Sequence, residues 1–177
     1  MRQVLFSLFV VLILAGCASG SSSSGSHEVL TSSERIFAFE DLKAIGFKKN
    51  RVYDVTDLIG ATGAWYGFWR HEGTSKDFEV RLYSSHADAL SLGEELAKEV
   101  TGNNAVISKD DTTWKEGSRD RRQVGGGVDK GSLGLQATGI FPKYGNYAIY
   151  GNMVLLCEGQ EEISLETCWK LISALTE

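Results

Sequence analysis

"FEVRLY", residues 78–83, is the stretch from which the rest of the chain is read. Phe78, Val80 and Leu82 alternate with Glu79, Arg81 and Tyr83, the period of two expected of a strand with one face in a core. The pattern predicts a strand whose polar side, Arg81 and Tyr83 included, faces solvent. Upstream, the polar residues 71–77 read as a hairpin loop, and before it "GAWYGFW" (63–69) supplies a neighbouring strand. In that strand Ala64, Tyr66 and Phe68 point to one face, and Trp65, Gly67 and Trp69 to the other.

Two readings of the aromatic strand stand open. In one, both faces are covered, by the first helix or by a segment carrying Trp114. In the other, Trp65 and Trp69 are exposed about 13 Å apart, at about 3.3 Å per residue, with Gly67 leaving a gap between them. Open aromatic faces separated by a small residue stack on sugar rings or clamp peptides. With Arg81 and Tyr83 on the neighbouring strand, Trp65 and Trp69 form the candidate binding surface.

Outward from this hairpin, residues 33–45 read as a first helix capped by Ser33 and ended by Gly46, followed by a strand at "RVYDV" (51–55). After the hairpin, Ser84 or Ser85 caps a helix running to Val100. "NYAIY" (146–150) and "MVLLCE" (153–158) flank Gly151-Asn152, a two-residue hairpin signal, and a last helix starts near Glu162 or Ser164 and runs to Leu175. Residues 64–100 and 146–175 are therefore both strand, strand, helix. The order predicts an α+β domain over residues 34–177. Its single, mainly antiparallel sheet has about five to six strands, and the helices pack on one face. Residues 103–142, charged and then glycine-rich, read as a long irregular excursion over the surface, mobile in part.

The N-terminus points to export. Arg2 precedes an apolar run from Val4 to Leu14, interrupted only by Ser7 and too short for the roughly 20 residues of a bilayer span. Leu14-Ala15-Gly16-Cys17 follows directly and resembles the lipobox of bacterial lipoproteins. The resemblance implies a signal peptide over residues 1–16 and lipidation of Cys17, palmitate among the chains. Ala18 stands where an Asp would imply retention at the inner membrane. The protein is then expected to be anchored in the cell envelope, on the outer leaflet of the cytoplasmic membrane or on the outer membrane. Residues 17–33 read as the lipidated cysteine and a Ser/Gly-rich tether, its 16 residues after Cys17 reaching on the order of 20 to 25 Å. The globular part resembles small, uncharacterised bacterial lipoproteins with a "DLKAIGF"-type first helix (41–47), a sheet and a closing helix; that resemblance implies no activity.

Removing the first 16 of 177 residues leaves 161, one domain of ordinary size, and the loss of Arg2 moves the formal charge from −5 to −6. Mild acidity without a basic run argues against nucleic acid. Cys157 and Cys168, with a turn between them in an exported chain, predict a disulfide. His27, His71 and His86 have no neighbours at metal-ligand spacing, so neither metal nor cofactor is expected. Glu79, Asp88 and Glu158 are available as acids, but no spacing pairs two carboxylates. The expected class is a non-enzymatic binding module for an envelope protein, peptide or saccharide. An extracytoplasmic hydrolase, a hydrolase inhibitor and a structural spacer are the alternatives.

Overall fold

The computed structural model describes residues 27–124 and 139–177. Its centre is the strand predicted from FEVRLY, which extends over Thr74–Tyr83 (β4). It pairs on one side with Ala61–His71 (β3) and on the other with Met153–Glu158 (β8). Lys48–Tyr53 (β2) adds beyond β3, and Tyr144–Tyr150 (β7) beyond β8. Leu30–Thr31 (β1) then pairs in parallel with β7, giving a six-stranded sheet in the order β1-β7-β8-β4-β3-β2. All its other pairings are antiparallel. A second, two-stranded sheet joins Arg122–Val124 (β5) to Ile140–Pro142 (β6), so the fold is α+β but not single-sheeted.

Turn chemistry sets both hairpins. Glu72 and Gly73 each adopt positive φ between His71 and Thr74, which shortens the expected 71–77 loop to two residues. Gly151, at φ +57, opens the second hairpin as its sequence predicts.

The helices do not share a face. In β4 and β8, Phe78, Val80, Leu82, Leu155 and Cys157 pack under Glu161–Thr176 (α4), against Cys168, Leu171, Ile172 and Leu175. Phe39–Ala44 (α1) adds Leu42 to the same cluster. The alternate residues Tyr83, Val154 and Leu156 pack on the opposite side, against Ala89, Ala97 and Val100 of the helical run after β4. That run begins at His86–Asp88 (α2), passes through a π-turn at Ala89–Gly93 and ends with Glu94–Lys98 (α3). Ser85 caps it, accepting a hydrogen bond from the Asp88 amide at 3.1 Å. A two-fold axis normal to the sheet between β4 and β8 would relate the hairpins but leave both helices on one side. The repeated strand-strand-helix order is thus not a symmetric duplication.

Cys157 and Cys168 form the expected disulfide, with Cα atoms 5.6 Å apart, fastening α4 to β8. Among the described residues no helix is long and apolar enough to cross a membrane.

Three stretches depart from their sequence reading. The first helix is confined to Phe39–Ala44, because residues 35–37 are held extended across the second hairpin turn. There the Phe37 amide donates to Asn152 Oδ1 at 2.6 Å, and the Asn152 amide to the Arg35 carbonyl at 3.3 Å. Residues 27–31, read as tether, are docked: Trp169 Nε1 donates to the Glu28 carbonyl at 2.8 Å, and His27 stacks on the Trp169 ring. Of residues 103–122, read as a surface excursion, 112–122 instead cover the sheet, with Thr112, Trp114, Ser118, Asp120 and Arg121 buried. Residues 125–138 of that expected irregular segment lie outside the described residues, as do the signal peptide and Cys17.

Candidate functional site

The four residues expected to form an open surface are not brought together as one. Register places Trp65 opposite Val80 and Trp69 opposite Lys76, so both tryptophans point to the α1 side, as alternation requires. Trp69 is buried, its Nε1 donating to the Ile45 carbonyl at 2.9 Å. The space that Gly67 leaves between them is filled by the Phe47 ring: a Cβ at Gly67 would lie 2.6 Å from Phe47 and 2.4 Å from the Lys48 carbonyl oxygen. Arg81 and Tyr83 face the other side of the sheet, where both are buried.

Arg81 belongs to a charged cluster sealed beneath residues 112–122. Arg121 Nε donates to Glu79 Oε2 at 2.8 Å, and Arg81 Nε to Glu79 Oε1 at 2.8 Å. The Trp114 ring lies within cation–π distance of both guanidiniums, 5.0 Å from Arg81 and 4.9 Å from Arg121. Beside it the Tyr53 hydroxyl donates to Asp120 Oδ2 at 2.9 Å. Burial pushes the Glu79 carboxyl upward, but Arg121 and Arg81 together outweigh it and hold the group below its ordinary value. Glu79 is fully enclosed and permanently paired, which suits a structural anion rather than a proton donor.

The other carboxylates considered for acid or base chemistry are also engaged. Asp88 accepts from Ser85 Oγ at 2.8 Å, and Glu158 accepts from the Asp77 amide at 2.8 Å. A half-buried group joins Tyr66, Asp77 and Lys143, with Lys143 Nζ 2.6 Å from Asp77 Oδ2 and 3.1 Å from the Tyr66 hydroxyl. Burial, with the hydrogen bond to Asp77, holds the Tyr66 phenol above its ordinary value, so it is not activated as a base. Among the described residues no three His, Cys, Asp or Glu side chains cluster as metal ligands.

Among the described residues, depressions lie at opposite ends of β4. The smaller, of about 210 Å³, lies between the β3–β4 turn and α4, with Trp69, His71, Phe78, Ile163 and Lys170 in its walls. The larger is an open cleft of about 580 Å³ where residues 36–40 cross the ends of β3 and β4. Its volume falls within the 300–1,000 Å³ common for binding sites. Its walls are Ile36, Phe37, Phe39 and Trp65, and its rim carries Glu40, Lys49, Thr62 and Ser84. Trp65 stacks on Phe39 with ring centroids 4.8 Å apart, and Lys49 Nζ lies 5.2 Å from the Phe39 centroid. Ile36 is 59% exposed. Asn152 positions this wall: besides accepting from the Phe37 amide, its Nδ2 donates to the carbonyls of Phe37 and Tyr83 at 3.1 and 2.8 Å.

Of the expected surface, Trp65 and Tyr83 line this cleft, Trp69 lines the smaller depression, and Arg81 lines neither. The cleft residues missed from sequence are Ile36, Phe37 and Phe39, and Lys49 at the rim. The signal for the first three was "IFAF", a run that suits a short strand as well as a helix and enters the helix only at Phe39.

Comparison with known families places residues 38–177 in a family of unknown function, DUF6810, and the chain belongs to it. Comparisons with curated proteins and with solved structures find no match.

Proposed function

We propose that this family member is a non-enzymatic binding module of the cell envelope, held by lipidated Cys17, whose aromatic cleft receives apolar side chains of a partner polypeptide. The observation that carries the reading is the cleft itself, where Ile36, Phe39 and Trp65 lie over buried Phe37, with one cation, Lys49, and one acid, Glu40, at the rim. The apolar and aromatic walls suit the apolar side chains of a polypeptide, and Glu40, Lys49, Thr62 and Ser84 supply polar contacts at the rim. The aromatic pair is also preorganised: Trp65 and Phe39 already stack, so less side-chain freedom is lost on binding.

The test is fluorine NMR of the protein labelled with 5-fluorotryptophan. Its Trp65 resonance, assigned by Trp65→Phe, is followed against pooled peptides and against cell-wall glycan fragments. Movement of the Trp65 signal with peptides supports the reading, and movement with glycans alone replaces the polypeptide by a saccharide. No movement with either rejects the cleft as a site. Anchoring is tested separately by incorporation of radiolabelled palmitate, expected in the native chain and absent from Cys17→Ala.

A further inference from the structure

The cleft opens onto a sheet edge that is unpaired among the described residues. β2 is the last strand on its side, and Lys48, Lys49, Asn50, Arg51 and Val52 are all exposed. One set of its alternating backbone groups pairs with β3, which leaves the other set pointing outward. No other backbone hydrogen bond among the described residues ends on Lys48–Tyr53. The opposite edge differs: β7 is covered at Ile149 and Tyr150 by β1, and the Tyr147 amide donates to the Asn146 side chain.

The irregularity between Lys49 and Arg51 sorts the side chains of this edge. Lys49 and Val52 lie opposite Gly67 and Trp65, on the cleft side, while Lys48 and Arg51 lie opposite Phe68 and Tyr66, on the other. Val52 is 62% exposed beside the Trp65 wall. Among the described residues neither Lys48 nor Lys49 forms an ion pair, while Arg51 pairs with Asp120 at 3.5 Å and stays half exposed. The edge is thus a basic strip on a chain whose formal charge is −5.

Lysines and a bulge on an edge strand commonly prevent unwanted pairing. Here their effect is selective. A second copy pairing through β2 would bring this basic strip against its own copy, a like-charge approach that disfavours dimers. An acidic strand meets no such barrier.

We infer that the β2 edge accepts an extended acidic segment of a partner protein as a seventh strand, its carboxylates toward Lys48 and Arg51 and its apolar side chains beside Val52 and Trp65. Main-chain hydrogen bonds supply affinity in such an addition, and alternate side chains supply specificity. The inference rests on the cleft reading for its apolar half and adds the edge and the sign of charge.

Selection of the full chain in detergent against a random peptide library tests it. The expected winners alternate apolar and acidic residues. Their binding slows hydrogen exchange at the outward amides of β2, weakens with salt, and falls about tenfold or more in Lys48→Glu/Lys49→Glu. Both side chains are exposed, so the double variant keeps the fold. Basic or non-alternating winners, or binding that leaves the β2 amides unprotected, overturn the inference. If the Trp65 signal moves while β2 stays unprotected, the cleft survives and the edge does not. If β2 is protected without any change at Trp65, the added strand stands and the cleft reading fails.

Discussion

Arg121 clasps Glu79 from 42 residues away, its Nε and Nη2 donating to the two carboxylate oxygens at 2.8 and 3.0 Å. Through this contact residues 112–122 become the cover of one sheet face, and Trp114 is pressed against both guanidiniums that share the carboxylate.

Removing that carboxylate leaves Arg81 and Arg121 buried without a counter-charge. Breaking one partner of such a pair costs about 3–5 kcal/mol, far more than a surface pair contributes. Glu79→Ala is therefore expected to lose roughly that much in urea unfolding and to release Trp114 fluorescence to quenchers. Acid should act in the same direction. The folded Glu79 carboxyl titrates below its ordinary 4.5, so its stabilisation is complete above that value and is lost as pH falls through the lower folded one. Stability measured from pH 5 downward should fall less steeply in Glu79→Ala than in the native chain.

The same contact shows where sequence reading stopped. Alternation in FEVRLY located β4, yet it assigned Glu79, Arg81 and Tyr83 to solvent because charged residues are usually exposed. Only a distant cation and a covering tryptophan make burial tolerable; cover by the segment carrying Trp114 was one of the two readings, but the Arg121 counter-charge is not visible in local periodicity. The helices were misplaced onto one face for the same reason, since a strand polar on one side leaves only one side to cover. The Gly151-Asn152 hairpin, the Ser85 cap and the disulfide were legible because their chemistry is local, whereas the Ser33 cap expected for the first helix is not formed, since that helix begins at Phe39 after Ala38. The cleft was half legible. Trp65 stood out by type, but its partners Ile36 and Phe37 depend on Asn152, 115 residues from Phe37.

Gly67 has a steric role that alanine cannot fill. A methyl there meets the Lys48 carbonyl and the Phe47 ring at once, and the carbonyl belongs to the paired strand, so relief requires β2 and β3 to part. Gly67→Ala is expected to cost about 1–3 kcal/mol by overpacking. Urea unfolding should show the loss, and Phe47→Leu in the same chain should recover only part of it, because the carbonyl contact remains.

The Cys157–Cys168 bridge closes a short loop, with a sequence separation of 11. Chain entropy assigns a loop of that size about 3 kcal/mol. Reduction, or Cys157→Ala/Cys168→Ala, should lower the unfolding free energy by that amount while leaving the Trp65 resonance in place, since the bridge fastens α4 and the cleft lies at the other end of β4. A Trp65 shift on reduction would show that the two ends of the sheet are coupled.

Asn152 joins stability to the site, because one buried side chain ties the Phe37 amide and carbonyl to the Tyr83 carbonyl. Asn152→Ala strips all three bonds and leaves buried groups unpaired, at a cost of roughly 2 kcal/mol or more. The Phe37 amide should then exchange quickly and the cleft should lose affinity for any peptide that moves Trp65. Asn152→Asp separates the contributions. It keeps an acceptor for the Phe37 amide but loses both donors to the carbonyls, so stability should drop while that amide stays protected. Equal exchange at Phe37 in the two variants would show that the wall is held by packing against Tyr150 and Arg35 rather than by Asn152.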